Sequence, residues 1–213
     1  MVVTVTSFED STVVVVDDDE QVRLALSSLF RSLGAEVMAL ASASELQQYR
    51  FPDRPCCVIL DVRLRGASGL DAQALLVERG NPVPVIFITG HGDIPMTVTA
   101  MKAGAEHFLA KPFREQELLD AVNAALNKDA SRRARERQAA AVRTRYDSLT
   151  PREREVMALV SAGCLNKQIA DQLDISEITV KIHRAQVMRK MEADSLAMLV
   201  VQAQQLGICP IQL

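Results

Sequence analysis

The sequence lacks the features that would place the protein in a membrane or outside the cell. No apolar run approaches the ~20 residues that a transmembrane helix needs. The first residues, MVVTVTSFEDS, contain no basic segment before an apolar core. We therefore expect a cytoplasmic protein that has no contact with a membrane.

Cysteine is scarce, and its spacing excludes two further classes of protein. There is no CxxC pair and no other spacing typical of metal ligands among the four cysteines, which are Cys56, Cys57, Cys164 and Cys209. The sequence therefore predicts reduced thiols, most of them in the core, and neither a disulfide framework nor a zinc site.

The net charge of −3 is small and unevenly distributed. Residues 1–128 contain 11 basic and 17 acidic side chains, whereas residues 129–213 contain 13 basic and 10 acidic ones. An acidic and a basic segment in one chain indicate two functions, and the positive excess of the second segment is compatible with nucleic-acid binding.

Short apolar runs alternate with helical patterns over the first 127 residues. The alternation predicts five strand–helix repeats and therefore a doubly wound, five-stranded parallel sheet of the flavodoxin-like α/β class. Continuous apolar runs fit strands that are buried on both faces. The predicted strands are STVVVV, AEVMAL, CCVIL, VPVIFI and AEHFLA.

No strand pattern follows residue 128. Residues 128–147 are polar, rich in Ala and Arg and free of Gly and Pro, which predicts a helical linker with a solvated face, although its arginines could also contact phosphates. Residues 148–213 predict an all-α domain of four helices. Thr150, Pro151 and Glu153 are typical of a helix start, and Gly163 of a helix end.

Polar side chains follow four of the predicted strands where each strand ends. The first strand is followed by Asp17 and Asp18, and the later ones by Asp61, Thr89 and Lys111. Ligands bind at the carboxyl ends of the strands of an open parallel sheet, so we expect these side chains to converge. Because three neighbouring carboxylates need a compensating cation, the set predicts a Mg²⁺ site suited to phosphoryl transfer.

The lone carboxylate of Asp61 is the best-placed nucleophile for an acyl phosphate. Lys111 and the Thr89 hydroxyl would then contact phosphoryl oxygens. Paired aspartates after a strand are more often a simple turn or a helix cap, and only the combination of five residues favours a phosphorylation site.

Two alternatives remain open from these residues. The pattern Asp17-x-Asp19 imitates the nucleophile motif of haloacid dehalogenase phosphatases, but no second acidic pair follows a later strand. The other alternative is a nucleic-acid-binding protein whose first domain is never phosphorylated, and the intact set of five residues argues against it.

A helix-turn-helix pattern lies in the second half, where NKQIADQLDIS precedes EITVKIHRAQ. The second helix would enter a DNA major groove as part of a dimer. Lys181 and Ile182 are the best candidates for base contacts. Candidates for phosphate contacts are Lys167, Thr179 and Arg184. His183 is better explained by packing or a phosphate contact than by metal binding.

These motifs resemble those of two-component response regulators of the FixJ/NarL group, which join a CheY-like receiver to a LuxR-type helix-turn-helix. The segments that carry the resemblance are VVVVDDDEQVRLAL, VILDVRLRGASGLD, IFITGHGDIPMTVTAMKAGAEHFLAKPF and LTPREREVMALVSAGCLNKQIADQLDISEITVKIHRAQVMRKM. The resemblance implies a receiver over 1–127, a linker over 128–147 and a DNA-binding domain over 148–213. Arg65 departs from the family, which commonly has Pro there.

The resemblance also implies a set of roles. Asp61 would accept phosphate from a sensor histidine kinase, and Thr89 and Lys111 would sense it. The Mg²⁺ ligands would be Asp17, Asp18, Asp61 and the backbone carbonyl of Arg63. Phe108, which the residues alone predict to be a packing residue, would act as the aromatic switch. Two receivers would then form a homodimer through helix four, strand five and helix five. Promoter DNA and RNA polymerase would be the output partners of a regulator that is not an enzyme.

Overall fold

The computed structural model of the protein describes residues 8–90 and 94–208. Contacts between Cα atoms divide the chain into two compact units, residues 1–134 and 135–213. The domain limits predicted at residues 127 and 147 are not tested by this division and stay a prediction. Cys209 lies outside the described residues.

The first unit is built on a five-stranded parallel sheet, as predicted. Its strands in spatial order are β2, β1, β3, β6 and β7. In chain order the strands of this unit are β1 (Thr12–Val16), β2 (Glu36–Leu40), β3 (Cys56–Asp61), β4 (Arg63–Leu64), β5 (Ala67–Ser68), β6 (Val85–Thr89) and β7 (His107–Ala110). The helices that begin in the described part of this unit are α1 (Glu20–Ser32), α2 (Ala43–Gln48), α3 (Gly69–Glu78), α4 (Ile94–Lys102) and α5 (Glu115–Asp147).

Helices cover both faces of the sheet, which explains the unbroken apolar runs of its strands. Every residue of β1 and β3 is buried, so alternate side chains of one strand enter two separate cores. One core joins the sheet to α2, α3 and α4, and the other joins it to α1 and α5. The central strands are therefore rigidly held, and their carboxyl ends have fixed positions.

One element of this unit was not predicted. β4 and β5 form a short antiparallel ribbon directly after β3, with Arg63 opposite Ser68. Gly66 makes the turn with a φ of 77°, a conformation that glycine adopts without the steric cost of a side chain. The ribbon shapes the loop that follows Asp61.

Helix α5 is one continuous helix of 33 residues. It includes the polar segment 128–147, for which a helix was expected. The carboxylate of Asp129 is fully buried on this helix, where its Oδ2 accepts a 2.9 Å hydrogen bond from the backbone N–H of Cys56. Arg132 and Arg133 pair with the same carboxylate, so this part of the helix is tied to the start of β3.

The second unit contains the four predicted helices: α6 (Pro151–Ser161), α7 (Asn166–Leu173), α8 (Glu177–Lys190) and α9 (Leu196–Gln205). The predicted start of α6 is confirmed, because Thr150 and Glu153 form a reciprocal capping box. The predicted stop is confirmed as well, since Gly163 takes a φ of 86° just after the helix. The described part of this unit has no strand.

The described cysteines agree with the expectation of reduced thiols in the core. Cys56, Cys57 and Cys164 are free thiols and buried. Burial raises the pKa of Cys56 to about 11, so this thiol is protonated at neutral pH. Within residues 8–90 and 94–208, no helix is long and apolar enough to span a bilayer.

Candidate functional site

The register of the sheet brings the predicted site residues to one edge. Val16 at the end of β1 is opposite Leu60 of β3, and Asp61 is opposite Ile88 of β6. Thr89, the last residue of β6, is opposite Ala110 of β7. The residues that immediately follow these positions therefore meet at the same end of the sheet.

Lys111 joins the two central carboxylates of this site. Its Nζ lies 2.8 Å from Oδ2 of Asp17 and 2.9 Å from Oδ2 of Asp61. Its position is set by a hydrogen bond of 2.7 Å from its own backbone N–H to the carbonyl of Thr89. A single ammonium group thus balances two carboxylates that come from strand ends 44 residues apart in the sequence.

The second oxygen of each carboxylate is held by the backbone. Oδ1 of Asp17 accepts a hydrogen bond of 2.8 Å from the N–H of Asp19, and Oδ1 of Asp61 accepts one of 2.8 Å from the N–H of Arg63. Arg23 donates from Nη1 to the carbonyl oxygen of Asp17 at 2.6 Å. These hydrogen bonds fix the orientation of both carboxylates, so that their Oδ2 atoms point toward Nζ of Lys111.

The pKa values of Asp17 and Lys111 are set by burial and by the contacts of Lys111 with the two carboxylates. Burial raises the pKa of Asp17, and the nearby charge of Asp61 adds to the effect, although Lys111 and the backbone oppose it. Burial alone would lower the pKa of Lys111, but its hydrogen bonds to the two carboxylates outweigh this and raise the pKa. The ammonium is therefore firmly charged at neutral pH.

Asp18 is at the same edge but has a different partner. Its Oδ2 lies 3.0 Å from Nε of Arg65, which is the residue that departs from the family pattern. The Arg65 side chain is 87% exposed, so this ion pair is in contact with solvent and adds little stability. Of the five predicted residues, Asp17, Asp61 and Lys111 are in direct contact, and Thr89 is fully buried beside them on β6.

The residues fit a hard divalent cation in their chemistry. Two carboxylate oxygens already converge on one cationic group, and carboxylate oxygens are the ligands that Mg²⁺ prefers. However, within the described ranges no three His, Cys, Asp or Glu side chains lie as a group that could hold a metal ion.

Two contributions to the site were missed in the sequence. Asp19 is the N-cap of α1, where its side chain accepts a hydrogen bond from the N–H of Gln21. Gly69 packs against the backbone of Asp61, and an added Cβ would lie 2.3 Å from the Asp61 carbonyl oxygen. The motif GASG that follows Asp61 contained a signal for this close approach, because glycine in a loop can mark tight backbone contact.

Phe108 lies on edge strand β7, beside Phe87 of β6. It is half-buried and packs against the core formed with α2, α3 and α4. This position is compatible with both predictions for Phe108, which were core packing and a change of rotamer.

The second candidate surface is the outer face of α8. Lys181 and Ile182 are exposed, as expected of residues that contact bases, while Val180 and Val187 are buried in the core of this unit. His183 is only half-buried, between these two faces. Asp174 makes the turn before α8 with a φ of 51°, which places the predicted turn at this residue.

The predicted phosphate contacts differ in their surroundings. Lys167 is exposed at the start of α7. Arg184 donates from Nη1 to Oδ1 of Asn166 at 2.5 Å, and Thr179 shares a hydrogen bond of 2.9 Å with the hydroxyl of Ser176. Arg184 is thus held in place by α7, an interaction that the sequence did not indicate.

Comparisons with known proteins agree with this pair of sites. Residues 13–123 match the family model of the response regulator receiver domain, and residues 147–203 match that of the bacterial regulatory proteins of the luxR family. Nodulation protein W of Bradyrhizobium diazoefficiens is 54% identical over 196 residues, which are 92% of this chain and 86% of that protein.

Two further similarities extend over both units. The transcriptional regulatory protein FixJ of Rhizobium meliloti is 40% identical over 201 residues, covering 94% of this chain and 98% of that protein. The solved structure of the response regulator StyR is 46% identical and has a TM-score of 0.84, covering 92% of this chain and 99% of that chain.

The fold and the site define the class as a receiver coupled to a DNA-binding helix-turn-helix. The chain belongs to the family of two-component response regulators that carry a LuxR-type DNA-binding domain, and it is a transcription regulator rather than an enzyme. The phosphatase alternative is therefore wrong.

Proposed function

We propose that the protein is phosphorylated on Asp61 by a sensor histidine kinase, in a Mg²⁺-dependent reaction in the cytoplasm. The observation that supports this most strongly is the ammonium of Lys111, which lies between the carboxylates of Asp17 and Asp61. A carboxylate held by a backbone N–H on one oxygen and by an ammonium on the other is oriented for attack.

The reaction would form a bond between Asp61 and phosphorus and break the bond from phosphorus to the kinase histidine, whose imidazole leaves with the electron pair. When bound, Mg²⁺ would neutralise negative charge on the carboxylates and the transferred phosphoryl group. Asp17, Asp18, Asp61 and the carbonyl of Arg63 are the groups proposed to hold it. Lys111 would then exchange its contact with Asp61 for one with a phosphoryl oxygen.

The transferred group adds negative charge and acceptor oxygens beside β6 and β7. Thr89 and Lys111 terminate or follow these strands, so their movement toward the phosphoryl group would be transmitted to Phe108 on β7. This supports the proposal that Phe108 is the switch residue, because its side chain packs against the core and is still partly exposed.

We assign dimerisation to the face formed by α4, β7 and α5. Val98 and Met101 on α4 are 45% and 46% exposed, and an open groove of about 390 Å³ runs between β7 and α5. Exposed apolar side chains beside a groove favour burial against a second protein surface. Phosphorylation would favour the receiver conformation in which this face is complementary to its copy.

The dimer is proposed to bind promoter DNA through α8, and RNA polymerase is a further partner that such a regulator can contact. One recognition helix makes few base contacts, so paired half-sites are needed for useful affinity. Lys181 and Ile182 are assigned to base edges, and Lys167, Thr179 and Arg184 to phosphates.

The experiment that tests the receiver half is intact-mass measurement after incubation with acetyl phosphate and Mg²⁺. We expect one labile phosphoryl adduct, which borohydride trapping followed by peptide mapping locates at Asp61. Asp61→Asn should abolish it, whereas the control Asp71→Asn on α3 should retain it. Modification at another residue, or no adduct on the wild-type chain, would contradict the proposal.

The DNA half is tested by two lysine variants. Lys181→Ala should weaken binding to the preferred duplex by 1–3 kcal/mol, as a rough expectation for a base contact, and relax the base preference. Lys167→Ala should weaken binding to all sequences alike and reduce the salt dependence. If neither variant changes a binding isotherm, the assignment of α8 to the groove is wrong.

A further inference from the structure

Two apolar side chains of α8, Ile178 and Ile182, face outward although they do not belong to the core of their unit. We call these two residues the apolar stripe. Ile178 is 71% exposed, the highest value among the large hydrophobic side chains described, and Ile182 is 56% exposed. Neither residue belongs to the core cluster of its unit or packs against it. Single exposed apolar residues are common, but two of them one helical turn apart form a continuous surface.

The position of this stripe follows from helix geometry. At 3.6 residues per turn, Ile178 and Ile182 are separated by about 40° around the helix axis, and Ala185 lies about 20° to the other side of Ile178. The buried side chains of Val180 and Val187 point about 160–180° away from the middle of the stripe. The two isoleucines therefore project along the direction in which α8 faces away from its own domain.

We propose that Ile178 and Ile182 recognise the C5-methyl groups of thymines in the operator. This inference rests on the proposed function, in which α8 enters the major groove. The thymine methyl is the apolar group that unmodified DNA presents there, and apolar side chains are its natural contacts. Lys181 lies between the two isoleucines in the sequence and is exposed, so a polar contact to a neighbouring base edge can accompany the methyl contacts.

Two features favour DNA over a second protein as the occupant of this stripe. Two isoleucines and one alanine offer far less than the ~800 Å² per partner that a stable protein interface buries. Basic side chains accompany them, since Lys181 and Arg189 are exposed on the same helix, although the acidic Glu177 is exposed at its start. Ala185 is also exposed, and its short side chain allows the helix to approach the base edges closely.

The loss of DNA affinity expected on removal of one thymine methyl can be estimated from the free energy of burying one methyl group. Removing one such group from a contact weakens binding by about fourfold. Replacement of thymine by deoxyuridine removes the methyl and leaves the hydrogen-bonding groups of the base unchanged. The substitution therefore measures the proposed contact alone.

The experiment uses the full chain, incubated with acetyl phosphate and Mg²⁺. Preferred duplexes are first selected from a random library, and each thymine is then replaced by deoxyuridine and the affinity measured by fluorescence anisotropy. We expect about fourfold weaker binding at one or two positions of each half-site. Ile178→Ala or Ile182→Ala should remove the penalty at its own position. Val77→Ala, which truncates a 61% exposed residue of α3, should leave all penalties intact.

The possible results separate this inference from the proposed function. If duplexes are selected and Lys181→Ala weakens their binding, but no deoxyuridine position has an effect, methyl recognition is overturned and DNA binding stands. Penalties that persist unchanged in both isoleucine variants also overturn the assignment. If no duplex is bound with any sequence preference, the proposed function fails together with the inference.

Discussion

Asp17 and Asp61 bring two negative charges together in a mostly buried site. The two carboxylates share one ammonium, and Asp17 is 1% exposed. Burial and the neighbouring carboxylate both raise the pKa of Asp17, so its charged form costs folding free energy. The folded receiver is therefore less stable at neutral pH than it would be with an uncharged side chain of similar size at position 17.

Replacement of Asp17 by Asn should consequently stabilise the receiver. A carboxyl with a raised pKa in the folded state favours folding while it is protonated, and this contribution is lost as pH rises above the ordinary value of 3.8. Asparagine does not ionise. At pH 7 in EDTA, we expect Asp17→Asn to raise the Tm by about 2–4 °C.

This gain should shrink as the pH falls through the raised pKa of Asp17 toward the ordinary value of 3.8, and it should be absent below that value, where the carboxyl is protonated in both the folded and the unfolded state. Thermal unfolding followed by circular dichroism at both pH values measures the difference. Asp18→Asn is the matched control, because its carboxylate is partly exposed, and it should change the Tm little. A lower Tm for Asp17→Asn at pH 7 would show that the contact with Lys111 outweighs the cost of burial.

Gly69 is a second residue at which the site constrains the chain. A Cβ at this position would lie 2.3 Å from the Asp61 carbonyl oxygen and 3.1 Å from Cα of Val62, and both atoms belong to the backbone. We expect Gly69→Ala to lower the free energy of unfolding in urea by about 1–3 kcal/mol. Gly90→Ala provides the control, since no atom lies within 4 Å of its Cβ position. Equal values for the two variants would refute the close packing.

At the scale of elements, the middle of α5 is held to the sheet by the buried carboxylate of Asp129. Asp129 accepts hydrogen bonds from the Cys56 backbone and from Arg132 and Arg133, and Arg133 also pairs with Asp53 at 3.2 Å. This network lies at the amino end of β3, whereas Asp61 lies at its carboxyl end. The polar segment after residue 127 is thus part of the receiver structure for at least its first turns.

Removal of this carboxylate should destabilise the receiver. Asp129→Ala leaves the Cys56 N–H without its acceptor and two guanidinium groups without their buried partner, so we expect a loss of about 3 kcal/mol or more in urea unfolding. Asp120→Ala removes an exposed carboxylate from the same helix and should cost much less. A loss for Asp129→Ala no greater than that for Asp120→Ala would mean that the network contributes little.

At the scale of the whole molecule, two compact units of opposite net charge share one chain. The acidic unit contains the receiver domain, and the basic unit contains the LuxR-type DNA-binding domain. A dimer formed only after phosphorylation would connect them, because each α8 needs a second copy to occupy paired half-sites.

Sedimentation velocity should detect this coupling. With acetyl phosphate and Mg²⁺, we expect the wild-type chain to shift from monomer to dimer and Asp61→Asn to remain monomeric. Met101→Glu places a charge on the exposed face of α4 and should prevent dimerisation while the phosphoryl adduct still forms. Val77→Glu, on α3, is the control and should dimerise normally. Dimerisation of Met101→Glu would assign the interface to another face.

Much of this organisation was determined by the sequence alone. Alternation of apolar runs with helical patterns predicted the parallel sheet, because strands buried on both faces must be continuously apolar. The same order of strands predicted that Asp17, Asp61, Thr89 and Lys111 would share one edge. Thr150 and Gly163 marked the two ends of α6 in the second unit, since such capping signals depend only on neighbouring backbone groups.

Only the tertiary structure decided which partners these side chains take. Lys111 bridges two carboxylates, Asp18 pairs with Arg65, and Asp129 is buried against β3, all of them contacts between residues far apart in the sequence. The exposure of Ile178 and Ile182 also required the packing of α8. Local patterns set the elements because they act over a few residues, whereas charge pairing and burial depend on which surfaces the folded chain brings together.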